Sequence, residues 1–297
     1  MLLIVGGDRD PNVGSILGRM RERGIEGGAL LVGASSNPGL TWDFQAGRLL
    51  VDGREVRPGA SFIRFDVFTN LADPRPATGF RAHAWYTTLH GWLLANPEVR
   101  ILNRRYSGQQ NKPYMLDLAR RCGLAIPHTL VSNELDVLER EAAGRAMIAK
   151  PVPGGGYAQE LPALLAGTER RDGRSAAPAF VQERLVAPEV RVYGVGEGSG
   201  RRFEAFNVRS EALDYRTDRE TEVVHLPIDT IDPEVLAGLG RLMDALEMDW
   251  GAADFKTNSE TGRLTFLEIN SSPMFVAFDA VSGRAVSDAI LDYLTGD

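Results

Sequence analysis

The chain has 297 residues, of which 43% are hydrophobic and 25% charged, and its formal net charge is −7. This length and composition allow a large core divided into two or three lobes, and global disorder is not expected. The acidic balance argues against a generally nucleic-acid-binding surface, and a single cysteine, Cys122, excludes an intramolecular disulfide and a thiolate zinc cluster. No apolar stretch approaches the roughly 20 residues of a membrane span, and the opening MLLIVGGDRD is typical of a first strand. We therefore expect a cytoplasmic protein without membrane or nucleic-acid partners.

Residues 1–103 are predicted to form an α/β lobe. Apolar runs at residues 2–5 and 29–32 predict strands on either side of a helix at residues 13–23. Three further strands are predicted at residues 40–44, 48–51 and 61–66, before a helix at residues 82–96.

Residues 104–178 are predicted to form a middle lobe. Residues 110–122 predict a helix that ends before Gly123, a residue type favoured just after a helix C-terminus. Strands are predicted at residues 126–131 and 146–150, separated by a helix capped near Ser132 and Asn133. The polar segment TERRDGRSAAP, residues 168–178, is predicted to be a surface loop.

Residues 179–297 are predicted to form the last lobe. Strands are predicted at residues 180–184, 189–195 and 203–208, and helices at residues 233–247 and 284–294. Two apolar runs on either side of the turn formers at residues 258–262 predict a β-hairpin.

This hairpin carries the candidate metal ligands. It would bring Asp254 on one strand near Glu268 and Asn270 on the other. The spacing of Glu268 and Asn270 places them on one face, but Asp254 shares that face only in the right register. Two carboxylates and an amide oxygen are hard donors of the kind that Mg²⁺ takes beside a substrate phosphate. The alternative is a half-exposed hairpin with ordinary surface acids.

A second motif is a lysine at a strand end, Lys150, followed by Gly154, Gly155 and Gly156. Such a loop can fold backbone N–H groups over a polyphosphate, although it lacks the Lys-Ser/Thr of a Walker loop. A plain connection between strands is the alternative. The chain has 30 arginines but only three lysines, Lys112, Lys150 and Lys256, which suggests positions where a compact ammonium group is required.

The strands that follow offer further candidates. The end of the strand at residues 180–185 can line an adenine ring, while Glu189 and Arg191 share one face of the next strand. Such an acid suits ribose hydroxyls and such an arginine suits a phosphate or carboxylate. Arg209 and Arg216 can meet an anionic acceptor or a transferred phosphoryl group. Read singly, these residues also fit an alternating strand and a charged loop.

The order of these motifs resembles the ATP-grasp superfamily over roughly residues 103–294, and the preceding lobe is similar to its leading domain. In detail the chain resembles the branch of ribosomal-protein glutamate ligases and microviridin-type (graspetide) macrocyclases. The similar segments are Asn111-Lys112, GLAIPHT at 123–129, VRVYGVG at 190–196, Ser210 with Asp214-Tyr215-Arg216, and FLEIN at 266–270. The chain departs from the family at Glu189, where aspartate is usual, and at Ser271-Ser272-Pro273, where a glycine usually follows soon after the asparagine.

The resemblance implies an α/β fold of the ATP-grasp type, with an N-terminal α/β domain and two lobes that clamp ATP. It implies that ATP binds with Mg²⁺, as two ions, or with Mn²⁺. The implied nucleotide contacts are Lys112, Lys150, Gly154, Gly155, Gly156, Gln182, Glu183, Arg184, Leu185 and Glu189. The implied metal ligands are Asp254, Glu268 and Asn270, and the implied catalytic residues are Arg191, Arg209 and Arg216.

The implied reaction is an ADP-forming ligation that activates a carboxylate as an acyl phosphate and passes it to an amine or hydroxyl. A peptide substrate is favoured, because Ser210, Asp214 and Arg216 are similar to a motif of the graspetide macrocyclases. The alternatives are a ligase for a small amino-acid-like metabolite, a kinase that stops at phosphorylation, and a nucleotide-binding module without turnover. A homodimer is left open.

Overall fold

The computed structural model describes residues 1–33, 36–107, 111–152, 158–210 and 221–296. In these residues the strands form a parallel sheet, two larger antiparallel sheets and a small three-stranded sheet. No helix within these ranges is long and apolar enough to cross a membrane.

The N-terminal part is a parallel sheet in the order β2-β1-β6-β7, and β1 is buried along its whole length. Helix α1 begins after Asp10, whose side chain accepts a hydrogen bond from the Asn12 backbone N–H. The elements are β1 (Leu2–Gly7), α1 (Pro11–Glu22), β2 (Gly27–Val32), β3 (Leu40–Asp43), β4 (Arg48–Val51), β5 (Arg54–Glu55), β6 (Ala60–Ile63), α2 (Val67–Ala72), α3 (Pro76–Ala95) and β7 (Arg100–Ile101). Strands β3, β4 and β5 form the small sheet.

The middle part is an antiparallel sheet in the order β10-β9-β11-β8, with helices α5 and α6 packed against one face. Its elements are α4 (Lys112–Arg121), β8 (Thr129–Glu134), α5 (Leu135–Gly144), β9 (Met147–Lys150), β10 (Gln159–Glu160), α6 (Leu161–Ala166) and β11 (Arg174–Glu183). Gly123 has a φ of 85° just after α4, which confirms the predicted helix end.

Strand β11 corrects the prediction of a loop at residues 168–178. Asp172 and Gly173 both have positive φ, 50° and 77°, as in the tight turns that connect hairpin strands. Hydrogen bonds between Arg171 and Arg174 close this turn, so β11 begins at Arg174. The strand then crosses residues 178 and 179, where the boundary between the middle and last lobes was predicted.

The C-terminal part is a five-stranded antiparallel sheet in the order β14-β13-β12-β15-β16. Its elements are β12 (Val186–Val195), β13 (Arg202–Arg209), β14 (Glu222–Leu226), α7 (Pro233–Ala245), β15 (Trp250–Thr257), β16 (Leu264–Asn270), α8 (Val276–Val281) and α9 (Ala285–Thr295). Short 3₁₀ turns lie at Gly198–Gly200 and Ile228–Thr230.

The two faces of this sheet pack against different neighbours. One face, which includes Val192 and Phe255, packs against α4 and α7. The other face, which includes Tyr193 and Phe206, shares a core with α8, α9, α1 and the N-terminal sheet. This second core covers only one end of its face, and polar side chains occupy the other end.

Candidate active site

A cleft of about 420 Å³ opens between the middle sheet and the five-stranded sheet. Its walls come from β9, β11, β12, β15 and β16, from the start of α4, and from the loop after β16. The volume falls in the usual range for small-molecule sites. All three lysines of the chain, Lys112, Lys150 and Lys256, line this cleft. The three positions where the sequence suggested a need for a compact ammonium group therefore all lie in this cleft.

Three rows of side chains cross the floor of the cleft, because residues directly opposite in an antiparallel sheet share a face. In the first row Glu189 of β12 lies opposite Lys256 of β15. In the second row Asp254 of β15 lies between Arg191 of β12 and Glu268 of β16. The third row is Tyr193, Ala252 and Asn270. Successive rows are two residues apart, about 7 Å along the strands.

A β-bulge in β16 aligns the predicted metal ligands. Asp254 pairs with Glu268, but the next residue, Phe255, pairs with Phe266, so Leu267 is an extra residue opposite them. A bulge of this kind changes the direction of the side chains beyond it. It allows Phe266 and Ile269, three residues apart, to join the same core while Glu268 and Asn270 face the cleft. The register that the hairpin prediction required is therefore present.

Each acid in the first two rows lies near a cation. Arg191 Nη1 lies 3.0 and 3.2 Å from the two carboxylate oxygens of Asp254, and both side chains are buried. Lys256 Nζ lies 3.0 Å from Glu189 Oε2, and Lys112 Nζ lies 3.7 Å from Glu268 Oε2. Buried carboxylates need such counter-charges, because an isolated charge is costly to remove from water.

Arg191 is held from several sides. Its guanidinium carbon lies 5.4 Å from the ring centres of both Tyr193 and Phe278, within range of a cation–π interaction. Its Nε also donates to the Tyr193 hydroxyl oxygen at 3.1 Å. The hydroxyl in turn donates to the backbone carbonyl of Met274 at 2.6 Å. The arginine is therefore fixed in orientation between Asp254 and this aromatic pair.

The loop at residues 271–275, which carries Ser272, Pro273 and Met274 into the cleft wall, is fixed through its backbone. The carbonyl of Ser271 accepts from Asn103 Nδ2 at 2.9 Å, and that of Pro273 accepts from Arg64 Nη1 at 2.8 Å. The backbone N–H of Phe275 donates to Asn12 Oδ1 at 2.8 Å.

Two of these anchoring residues, Arg64 and Asn103, also bind buried acids. Arg64 Nε donates to the buried carboxylate of Asp10 at 3.0 Å. Asn103 Oδ1 accepts from the backbone N–H groups of Asp249 and Trp250. Burial raises the pKa of Asp249, although its carboxylate accepts hydrogen bonds from Asn103 and Tyr293. Sequence patterns gave no sign of these anchors, because Asn103, Arg64 and Asn12 lie 168, 209 and 263 residues from the loop residues that they bind.

Four of the predicted nucleotide contacts lie on the side of the cleft that the middle sheet forms. Lys150, Glu183, Arg184 and Leu185 all line it, next to Ile148. Gln182 does not line the cleft: it is buried, and its amide donates to Thr129 Oγ1 at 3.2 Å.

Arg209, a predicted catalytic residue, does not line the cleft. Arg209 follows Val208, which lies opposite Glu189, so strand alternation turns Arg209 to the opposite face, where it pairs with Glu222 at 3.0 Å. Arg209 therefore faces away from the cleft, and its catalytic role stays a prediction. Gly154, Gly155, Gly156 and Arg216 lie outside the described residues, as do Asp214 and Tyr215.

The donor set fits Mg²⁺ as predicted. Among the described residues no group of three or more histidine, cysteine, aspartate or glutamate side chains could enclose a metal. Mg²⁺ does not need such a cage, because it is commonly held by one or two carboxylates together with water and substrate phosphate. Asp254, Glu268 and the Asn270 amide, in adjacent rows of one face, provide this kind of half-open donor set.

No family model and no curated protein matches the sequence, but solved structures match the fold closely. The ATP-grasp ligase PsnB, in a complex with a phosphomimetic variant of its minimal precursor, Mg and ADP, matches with a TM-score of 0.76 and 25% identity. The match covers 99% of this chain and 97% of that chain. The chain has the fold of the ATP-grasp ligases and resembles PsnB over almost its full length.

Two further ATP-grasp ligases of the same kind match over almost the full length. Macrocyclase MdnC of Microcystis aeruginosa, bound with precursor peptide MdnA, has a TM-score of 0.71 at 19% identity, covering 100% of this chain and 99% of that one. The RiPP-associated ATP-grasp ligase of Chryseobacterium gregarium has a TM-score of 0.68 at 20% identity, covering 99% and 96%. The predicted ATP-grasp fold and the resemblance to the graspetide branch are confirmed.

Proposed function

We propose that this ATP-grasp ligase joins a carboxylate to an amine or hydroxyl of a peptide, with ATP converted to ADP. The observation that carries the proposal is the second row of the cleft, where Arg191, Asp254 and Glu268 lie side by side with Asn270 one row away. In support, PsnB was solved with a precursor variant, Mg and ADP, and MdnC with a precursor peptide.

The three rows of the cleft follow the order of the parts of a nucleotide. Ile148 and Leu185 provide an apolar end that suits the adenine ring. Glu189, in the first row, suits the ribose hydroxyls, and the second row suits the phosphates. Lys112 and Lys150 would supply positive charge to those phosphates. That Gly154, Gly155 and Gly156 cover these phosphates stays a prediction.

Asp254, Glu268 and Asn270 would hold Mg²⁺, and the metal would neutralise phosphate charge during the transfer. Arg191 lies against Asp254 and is fixed by Tyr193 and Phe278, so it can present its guanidinium to an anionic group without reorganising. With the metal ligands and Arg191 in these roles, the reaction needs no covalent enzyme intermediate. Activation would come from positioning and charge neutralisation by groups that are already in place.

The loop at residues 271–275 lies beyond the third row, at the opposite end from Leu185. We propose that it faces the second substrate, since the nucleotide would occupy the rows before it. Its fixed backbone would keep the carboxylate and the acceptor in one relative position, and close packing there would exclude the water that hydrolyses an activated carboxylate.

We also propose lobe boundaries that follow the sheets. Because β11 pairs with β8 and β9, the middle lobe would extend to Glu183, a few residues beyond the predicted boundary at residue 178. The boundary of the first lobe near residue 103 stays a prediction. A cytoplasmic location and a homodimer also stay predictions. Light scattering on the purified protein would measure the number of subunits.

The function is tested with Glu268→Gln and Asp254→Asn. The purified chain is incubated with ATP, Mg²⁺ and candidate precursor peptides encoded beside its gene, and ADP release and peptide mass are measured. We expect loss of one water per bond in the wild type and no product with either variant. The matched control is Glu260→Gln, an exposed acid in the turn of the same hairpin, which should keep full activity.

Two outcomes would contradict the proposal. Normal Mg²⁺-dependent turnover by Glu268→Gln would remove the metal assignment. A phosphorylated peptide that never loses phosphate to an amine or hydroxyl would identify a kinase instead. Circular dichroism of each variant confirms that lost activity does not come from unfolding.

A further inference from the structure

Lys256 is a cleft residue to which neither the family motifs nor the proposed metal site gives a role. It points into the first row, opposite Glu189, and its Nζ lies 3.0 Å from Glu189 Oε2. The side chains are 17% and 10% exposed, so the pair is largely removed from solvent while still lining the cleft. This ion pair differs from an ordinary surface pair, because both partners are held on central strands of a sheet.

The place of this pair in the cleft limits what it can do. The Glu189–Lys256 pair lies between the apolar end of the cleft, at Ile148 and Leu185, and the second row, which contains Asp254 and Glu268. A nucleotide whose base occupies the apolar end and whose phosphates reach the second row must lay its sugar over the first row. The pair therefore faces the only part of ATP that distinguishes a ribonucleotide from a deoxyribonucleotide.

We propose that Lys256 is a positioning residue for sugar recognition: it holds one oxygen of the Glu189 carboxylate so that this group keeps a single orientation toward the ribose hydroxyls. The inference rests on the proposed function, since it assumes that ATP binds in this cleft. Lys256 acts through Glu189 and does not itself contact the sugar. It makes the site selective for ribonucleotides.

The residue type fits this role. A lysine ammonium group is a compact charge that can approach one carboxylate oxygen, whereas a guanidinium fork tends to engage both. The neighbouring row shows the contrast, because Arg191 lies within 3.2 Å of both oxygens of Asp254. Removing the Lys256 charge would leave Glu189 buried without its cross-strand partner, and the carboxylate would turn toward another donor.

The test compares ATP with 2′-deoxy-ATP, both with Mg²⁺ and without acceptor, by calorimetric titration. The variants are Lys256→Met, Lys256→Arg, Glu189→Gln and the double variant Lys256→Met/Glu189→Gln. Lys256→Gln replaces Lys256→Met if the latter does not fold. The matched control is Arg263→Met, an exposed cation in the same hairpin but outside the cleft.

We expect the wild type to bind ATP roughly tenfold or more tightly than 2′-deoxy-ATP, the contribution of one hydrogen bond to a charged acceptor. Lys256→Met should weaken ATP binding while leaving 2′-deoxy-ATP binding nearly unchanged, so the ratio falls toward one. Lys256→Arg should keep only part of the ratio, because it restores a positive charge opposite Glu189 but tends to engage both carboxylate oxygens. The double variant should match Glu189→Gln alone.

The inference is overturned if Lys256→Met keeps the wild-type ratio, or if it weakens both nucleotides equally, as a purely structural or phosphate-binding lysine would. Additive effects in the double variant would also overturn it, because they would mean that Lys256 does not act through Glu189. These results differ from failure of the proposed function itself, in which the wild type would bind neither nucleotide with Mg²⁺.

Discussion

Arg64 donates a hydrogen bond from Nη1 to the backbone carbonyl of Pro273, across a sequence separation of 209 residues. The arginine follows β6 of the N-terminal sheet, and the proline lies in the loop that ends the candidate metal site. Since Arg64 also pairs with the buried carboxylate of Asp10, one side chain joins the first turn of α1 to the wall of the cleft. The N-terminal lobe is therefore part of the active-site frame.

Replacing Arg64 with methionine should destabilise the chain by about 3–5 kcal/mol, because Asp10 would be left buried without a counter-charge. Urea unfolding near neutral pH measures the change in the free energy of unfolding. The control is Arg57→Met, whose side chain is 80% exposed and should change that free energy by less than about 0.5 kcal/mol. Equal effects of the two substitutions would show that the Asp10 pair contributes nothing.

Tyr193→Phe removes one hydroxyl that accepts from Arg191 and donates to the Met274 carbonyl. The ring stays in its aromatic cluster, so we expect a stability loss of about 1–2 kcal/mol. The larger effect should be a raised KM for the peptide at an unchanged KM for ATP, because the loop lies beyond the nucleotide rows. A change confined to the KM for ATP would contradict this arrangement.

Deleting Leu267 tests the bulge. Without the extra residue, regular alternation would keep Phe266 and Ile269 in the core and Glu268 and Asn270 toward the cleft, but the change of strand direction that the bulge provides would be lost. We expect a folded chain with weakened Mg²⁺-dependent ATP binding, because the Glu268 carboxylate would shift relative to Asp254. Leu267→Ala is the matched control, since it keeps the backbone count and should retain binding. Binding equal to that of the wild type would show that the bulge does not set the positions of the metal ligands.

Acid should weaken the contact between α1 and α9. Hydrogen bonding from Arg19 lowers the pKa of Asp288 below its usual 3.8, with Arg23 adding to the effect. The unfolded chain therefore takes up the proton at a higher pH than the folded chain. The pair stabilises the fold above about pH 3.8, and this contribution is lost as pH falls through the lowered folded pKa.

Asp288→Asn should accordingly cost about 1 kcal/mol near neutral pH, a modest value because the carboxylate is 29% exposed. The difference from the wild type should narrow when unfolding is measured well below pH 3.8. A constant difference at both pH values would mean that the residue acts through packing and not through its charge.

Local patterns predicted most of the strands and long helices, because apolar periodicity and turn residues act over a few neighbours. They also placed Glu268 and Asn270 on one face. They could not place Asp254 there, since that depends on one extra residue, Leu267, in the facing strand. The position of Arg209 outside the cleft could not be predicted for the same reason: its pairing with Glu222 is set by the register of two strands and not by its own surroundings in sequence.

Short elements were missed for a related reason. Helices α2 and α6 have six residues each, too few for a periodic signal, and β14 follows a segment outside the described residues. The Asp172-Gly173 turn did carry a signal, because this dipeptide favours positive φ at both positions. The polar residues around this dipeptide favoured the prediction of a surface loop instead.

Four of the five residues in the loop at residues 271–275 are held through their main chain, and the buried Phe275 ring anchors its end. Asn103, Arg64, Tyr193 and Asn12 reach the carbonyls of Ser271, Pro273 and Met274 and the N–H of Phe275. Every amino acid has a backbone carbonyl, so the anchoring does not depend on the exposed side chains of Ser272 and Met274. Substitutions at these two positions should leave the loop backbone in place. If the loop faces the second substrate as proposed, single substitutions at these two positions would change the peptide preference while the residues for ATP stay the same.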